Sequence, residues 1–225
     1  DAHRLWFFVA AAVGHGVPAA LLTMIISRSL RSGAVSRTPA EAMTALNGDL
    51  LRTQRGRSRF ATAVCGLIDT RTREVTLCTA GHPPALVLGG REPRAIESGG
   101  ALLGVFEGEP YEQESFVLGD GETLLLYSDG FETAFPDTDV DAEAGKLDTQ
   151  AYLEEFAKLP WIGSDEHATT SNAIDCLAER VDCQGGSVLL LEVIPCQAGS
   201  LHQQDDLTAL AIAVVPGTGI RTRAA

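Results

Sequence analysis

The chain has little that would attach it to a polyanion or a bilayer. Only 17 of its 225 residues are Lys or Arg, against 30 Asp or Glu, for a formal net charge of −13. A surface of that sign repels phosphate backbones and anionic lipid, which excludes sequence-independent nucleic-acid or membrane binding. A long hydrophobic run is missing too: the apolar opening, Leu5 to Ala12, is too short to span a bilayer, and no basic stretch precedes it as a secretory leader requires. Nor is there a C-x-x-C pair. The five cysteines, Cys65, Cys78, Cys176, Cys183 and Cys196, are odd in number and scattered, which fits a reduced, cytoplasmic setting. What is present is ordinary: 45% hydrophobic and 21% charged residues, the balance of a folded chain long enough for one domain with a sizeable core. The acidic surplus itself admits two readings, carboxylates that hold divalent cations or a merely solvated surface.

Hydrophobic periodicity divides the chain into elements. Leu5 to Ala11 is a continuous apolar run with no helical gaps and reads as a buried strand. Gly14-His15-Gly16 breaks it, and Pro18 opens a helix over Ala19 to Leu30 whose apolar face is Leu22, Ile25, Ile26 and Leu30. Gly33 ends that helix. Thr38-Pro39-Ala40-Glu41 supplies an N-cap, a first-turn proline and a capping acid for a second, antiparallel helix to about Leu51. Short β-branched or alternating runs follow at hairpin spacing, over Phe60–Asp69, Glu74–Ala80, Ala85–Leu88, Glu114–Val117 and Thr123–Tyr127. They predict an antiparallel meander, with Asp69 to Arg73 as its first turn and Gly81-His82-Pro83-Pro84 as a rigid structural corner. Beyond Asp129-Gly130 come an acidic flap from Asp137 to Glu143, helical stretches near Asp148–Lys158 and Glu166–Val181, and a closing strand from Leu207 to Val215. The expected class is α+β, an α/β/β/α sandwich of two antiparallel sheets flanked by helices. Residues 1–216 form one domain, and residues 217–225 a flexible tail.

Three turn-like segments at strand ends carry the chemistry-bearing residues: Gly14-His15-Gly16, Tyr127-Ser128-Asp129-Gly130 and Gln204-Asp205-Asp206-Leu207-Thr208. Each alone reads equally as a turn. Their order is more specific. Gly14-His15-Gly16-Val17-Pro18-Ala19-Ala20-Leu21-Leu22, Asn47, Phe60-Ala61-Thr62-Ala63, Ala80-Gly81-His82-Pro83-Pro84, Leu103-Gly104-Val105, Leu125 to Gly130 with Glu132, and Asp205-Asp206-Leu207-Thr208 follow one another over residues 5 to 215. In that sequence of blocks the chain resembles the SpoIIE-type members of the PPM, or protein phosphatase 2C-like, family of metal-dependent serine/threonine phosphatases.

The resemblance implies a centre of two Mn²⁺ or Mg²⁺ ions at one end of the sandwich, with Asp129 and Asp205 as ligands and the backbone carbonyl of Ala12 as a further donor. Two hard cations about 4 Å apart lower the pKa of a shared water and aim it at phosphorus, so no phosphoenzyme is required. It further implies that His15 orients a ligand or protonates the leaving oxygen, although a histidine that caps the following helix fits the same place. Gly14, Gly130 and Asp206 fall beside the substrate. The implied substrate is a phosphorylated regulatory protein such as an anti-anti-sigma factor, and an upstream sensor or receiver domain would act on the helical pair.

Departures from the family pattern matter as much. A metal-bridging Asp stands three residues before Gly-His-Gly in such proteins, and here that residue is Ala11. A Gly-Gly-Asp motif belongs on a strand before Leu5, so the domain is expected to be N-terminally incomplete, lacking its first strand. Without a bridging carboxylate two cations repel each other unscreened, so the centre weakens. The chain is therefore either a fragment or variant of a working phosphatase or a phosphatase-like binding module. Other acidic and basic runs add less. Arg52, Arg55, Arg57 and Arg59 read as a solvated loop or a contact for a phosphorylated partner. Asp137, Asp139, Asp141 and Glu143 lack the glycine of a calcium loop, which is Ala142 here.

Overall fold

A computed structural model of the chain describes residues 3–14, 16–33, 38–54, 59–90, 92–128, 176–183, 186–193 and 209–215. The first strand, β1 (Arg4–Ala12), leads into helices α1 (Val17–Gly33) and α2 (Pro39–Gln54). Next come β2 (Ala61–Asp69), β3 (Glu74–Ala80), β4 (Ala85–Leu88), β5 (Arg94–Ile96), β6 (Glu114–Val117) and β7 (Thr123–Tyr127), then β8 (Cys176–Cys183), β9 (Gly186–Val193) and β10 (Ala209–Val215). One sheet has the order β1-β2-β3-β6 and the other β5-β4-β7-β10-β9-β8, with every strand pair antiparallel.

Strand alternation builds two cores from the same residues' neighbours. In β1, Phe7 and Val9 enter the layer between the sheets with Val64, Ile68, Val75, Leu77, Val87, Leu124, Leu126, Ile212 and Val214, whereas Trp6, Phe8, Ala10 and Ala12 face the helices. The helical layer contributes Leu22, Ile26 and Leu30 from α1 and Met43, Leu46 and Leu50 from α2, at i, i+4 or i, i+3 spacing. Each fully buried leucine contributes roughly 1.5–3 kcal/mol by leaving water. Ser29 Oγ donates to Asp49 Oδ2 at 2.6 Å and fastens one helix to the other. Gly66 lets the first sheet close: a Cβ there would lie 2.3 Å from Phe7 Cζ.

The two antiparallel sheets and the helical pair are as the residues predict, but the expected meander is corrected. Strands β2, β3 and β6 lie in one sheet and β4, β5 and β7 in the other, because the chain crosses between sheets after β3 and again after β5 and β6. The helix expected over Glu166–Val181 is corrected in its last turn and a half, because residues Cys176–Cys183 are strand β8. They pair along their whole length with β9, from Cys176↔Val193 to Cys183↔Gly186. Leu177, Ala178, Glu179 and Arg180 favour helix by themselves, but β9 offers an open ladder of N–H and C=O groups that an added strand satisfies. Strands β5 and β9 were likewise absent from the expected elements. The stretch Asp148–Lys158, the acidic flap and any helices outside the second sheet lie outside the described residues.

Candidate active site

The corner at Gly81 to Pro84 carries the chain from β3 in one sheet to β4 in the other. Since all pairings are antiparallel, the ends of β1, β3 and β7 and the starts of β2, β4 and β10 share one end of the sandwich. At that end Gly81 takes φ 60°, and a Cβ on it would lie 2.5 Å from Leu102 Cδ2, so the corner needs glycine. Its N–H donates to Gly100 O at 3.1 Å, which holds the turn against the neighbouring loop.

Ala11 sits on this end. It is the register partner of Thr62, and by alternation with Phe7 and Val9 it falls on the side between the sheets. Thr62 Oγ1 and the buried His82 Nδ1 share a hydrogen bond of 3.0 Å. From the second sheet Ser128 arrives directly after β7, also buried and in step with Leu124 and Leu126. That end of the sandwich thus carries Ala11, Thr62 and His82 from the first sheet and the corner, and Ser128 from the second sheet. Beyond it, Gly14 at φ 106° and Gly16 at φ 71° bend the chain from β1 into α1, with nothing within 4 Å of where a Gly14 Cβ would project. Val13 N–H donates to Phe60 O at 3.1 Å and extends the ladder one step past Ala12.

Of the residues singled out from the sequence, Ala11, Ala12 and Gly14 are placed at this end. His15, Asp129, Gly130, Asp205 and Asp206 lie outside the described residues. The strands that lead to the two key aspartates are neighbours, however: Tyr127, two residues before Asp129, pairs with Ala209, four residues after Asp205. Thr62 and His82 went unrecognised as a pair. Each stands in a quoted block, but they are twenty residues apart, and only the register of β2 with β3 brings them within hydrogen-bonding distance.

Hard divalent cations require several oxygen donors. At Ala11 the position between the sheets offers a methyl group, and Ala12 is expected to act through its backbone carbonyl and supplies no side-chain donor. The described residues, which do not include Asp129 or Asp205, contain no group of three His, Cys, Asp or Glu suited to a metal. The described residues alone therefore do not fit a binuclear centre. A separate apolar groove of about 500 Å³ lies along α1, lined by Pro18, Leu21, Met24 and Ile25 with Arg28, Thr53 and Arg59. It is formed by the helical pair rather than by the strand ends. Of the arginine run, Arg52 pairs with Asp49 on α2, and Arg55 and Arg57 lie outside the described residues.

Residues 1–215 match the family model of Stage II sporulation protein E (SpoIIE). Among curated proteins the chain is 27% identical over 138 residues to the phosphoserine phosphatase RsbP of Bacillus subtilis (strain 168), a match covering 58% of this chain and 34% of RsbP. Its fold is similar to the RsbU and RsbW domains of Rv1364c from Mycobacterium tuberculosis, with TM-score 0.64 and 23% identity over 96% of this chain and 53% of that one. It is also similar to the PP2C phosphatase domain of SpoIIE from Bacillus subtilis solved with a fragment of its regulatory domain, with TM-score 0.57 and 15% identity over 96% and 58% of the two chains. The chain thus spans about a third of the curated relative and about half of these structures.

Proposed function

The chain belongs to the SpoIIE family, and from that premise we propose that it is a protein phosphatase domain that removes phosphate from phosphoserine or phosphothreonine on a regulatory protein. The observation that carries this reading is the pairing of Tyr127 with Ala209, which joins the strand entering Asp129 to the strand leaving the Asp205 segment, at the same end as Ala11, Thr62 and His82. An anti-anti-sigma factor is the substrate of choice by resemblance, and the cell compartment is the cytoplasm. Among the described residues no helix is long and apolar enough to cross a membrane. An upstream sensor or receiver domain would act on the helical pair, where the groove on α1 lies.

Asp129 and Asp205, which lie outside the described residues, would be the side chains to hold two Mn²⁺ or Mg²⁺ ions, and such ions would supply an activated water and offset phosphate charge. This chain's own residues do the positioning. Thr62 orients the His82 ring through Nδ1, Gly14 leaves open space where a side chain would stand, and Gly14 and Gly130 are the glycine candidates for the place beside the substrate phosphate. His15 is the candidate proton donor to the leaving serine oxygen, with Asp206 beside the substrate.

Ala11 favours a second reading, a binding module of impaired catalysis, because the position between the sheets offers no oxygen donor. Hydrolysis of p-nitrophenyl phosphate with and without Mn²⁺ separates the two, measured on this chain and on an Ala11→Asp version extended N-terminally. The phosphatase reading expects the restored carboxylate to raise Mn²⁺-dependent turnover at least about tenfold, the scale of one well-placed charge. If the Ala11→Asp version is also inert and binds no Mn²⁺ by calorimetry, the phosphatase reading is wrong.

A further inference from the structure

Next to the candidate site, three apolar side chains stand in water: Val13 at 45% exposure, Val105 at 42% and Phe106 at 54%. Single exposed hydrophobics are common. These differ in how they are held. Leu103 is fully buried and exchanges two backbone hydrogen bonds with Ala61, at 3.0 and 3.1 Å. Ala61 pairs on its other side with Ala12, so Leu103 and Ala12 are separated by two strand spacings, about 10 Å. Val13 follows Ala12 directly, and Val105 comes two residues after Leu103, beyond the bend at Gly104.

The loop that displays Val105 and Phe106 is pinned from below by Asn47 of α2, a side chain only 3% exposed. Its Oδ1 accepts the Gly104 N–H at 2.7 Å and its Nδ2 donates to Phe106 O at 2.8 Å. Gly104 and Gly108, both in the left-handed region at φ 82° and 71°, set the two bends. A buried amide with both ends engaged fixes the backbone, so the phenyl ring projects from a rigid support, the arrangement of an interface anchor. Beside it, exposed Glu107 and partly exposed Glu109 add negative charge to a chain already at −13.

We propose that the edge formed by Val13 and the pinned loop Leu103–Gly108 docks the phosphorylated protein itself, taking an apolar side chain next to the phosphoserine against Val105 and Phe106 and a basic one against Glu107 and Glu109. This rests on the phosphatase reading for the identity of the occupant. The apolar area selects by burial, and the glutamates select by charge, since a basic flank also offsets the repulsion between an acidic domain and a phosphate.

The test uses fluorescein-labelled phosphoserine peptides with Leu and Lys flanks, with Ser flanks and with Asp flanks, each beside its unphosphorylated twin. Anisotropy on the full chain is expected to show the Leu/Lys peptide binding at least tenfold tighter than the Asp peptide. Phe106→Ser, which removes the apolar contact, and separately Glu107→Lys, which reverses the charge, should each reduce that ratio at least about threefold with unchanged circular dichroism. Absence of a flank preference in the native chain, or its survival in both variants, overturns the proposal. So does conversion of a dimer to a monomer by Phe106→Ser in size-exclusion chromatography, which assigns the edge to a second copy. Flank preference with no dependence on phosphate would instead sink the phosphatase reading and leave the docking edge standing.

Discussion

Asn47 is the residue whose chemistry is least replaceable among those the structure describes. Its two hydrogen bonds satisfy a buried amide N–H at Gly104 and a carbonyl at Phe106. Replacing it by leucine removes both partners at once and leaves those groups without compensation, at about 1–3 kcal/mol for a buried unsatisfied group. Asn47→Leu is expected to lower stability by about 2 kcal/mol, read as a shift in the urea midpoint at unchanged slope. A midpoint identical to the native one would show that the loop finds other partners. At the same scale, Ala11 was legible from the residue string alone, since its place before Gly14-His15-Gly16 marks the missing carboxylate. The link between Thr62 and His82 was not legible, because nothing local to either residue names the other.

Elements with local signals came through. Helix α2 begins where its capping box predicts: the Thr38 N–H donates to Glu41 Oε2 at 2.9 Å, and the Glu41 N–H donates to Thr38 Oγ1 at 3.3 Å. Each bond satisfies a donor that the helix itself leaves open. Thr38→Ala should therefore cost about 1 kcal/mol, seen as a few degrees in Tm. A double variant with Glu41→Ala should cost less than the sum, because the two contacts form one unit. The first hairpin was equally readable, with Asp69 Oδ1 accepting from the N–H groups of Arg71 and Thr72 and Arg73 in the left-handed conformation at φ 61°. Strand β8 was not. Its composition points to helix, and the outcome depends on β9, whose other edge is already paired to β10.

On the scale of the whole molecule, the layer between the first sheet and α2 encloses three weak acids. Cys65 and Cys78 face each other as register partners on β2 and β3, both fully buried, and Tyr111 packs in the same cluster. Burial pushes the Cys65 thiol far above its ordinary value, with Cys78 adding to the shift. Burial likewise raises Cys78 to about 12, although Ser98 opposes it, and raises Tyr111 to about 12, helped by Glu109. Each folded-state pKa lies above the unfolded one, so the folded chain holds these protons more tightly. Their contribution is intact below the unfolded values of 9.0 for the thiols and 10.0 for the phenol, and is lost as pH rises through the folded ones. Tm should accordingly fall between about pH 9 and pH 12, and Cys65→Ala should flatten that fall. A Tm independent of pH over this interval would contradict the buried assignment. The amino-acid order determined by itself the helical pair and most of the strands of the two sheets, because periodicity, caps and turn residues act over a few positions, while the family and the carboxylate absent at Ala11 were read from the resemblance of its ordered motif blocks. Only the tertiary structure decided that Thr62 meets His82, that Asn47 pins the Phe106 loop and that Cys176–Cys183 is a strand. Those outcomes depend on register and on edges supplied by residues far away in the chain, which short-range propensity does not encode.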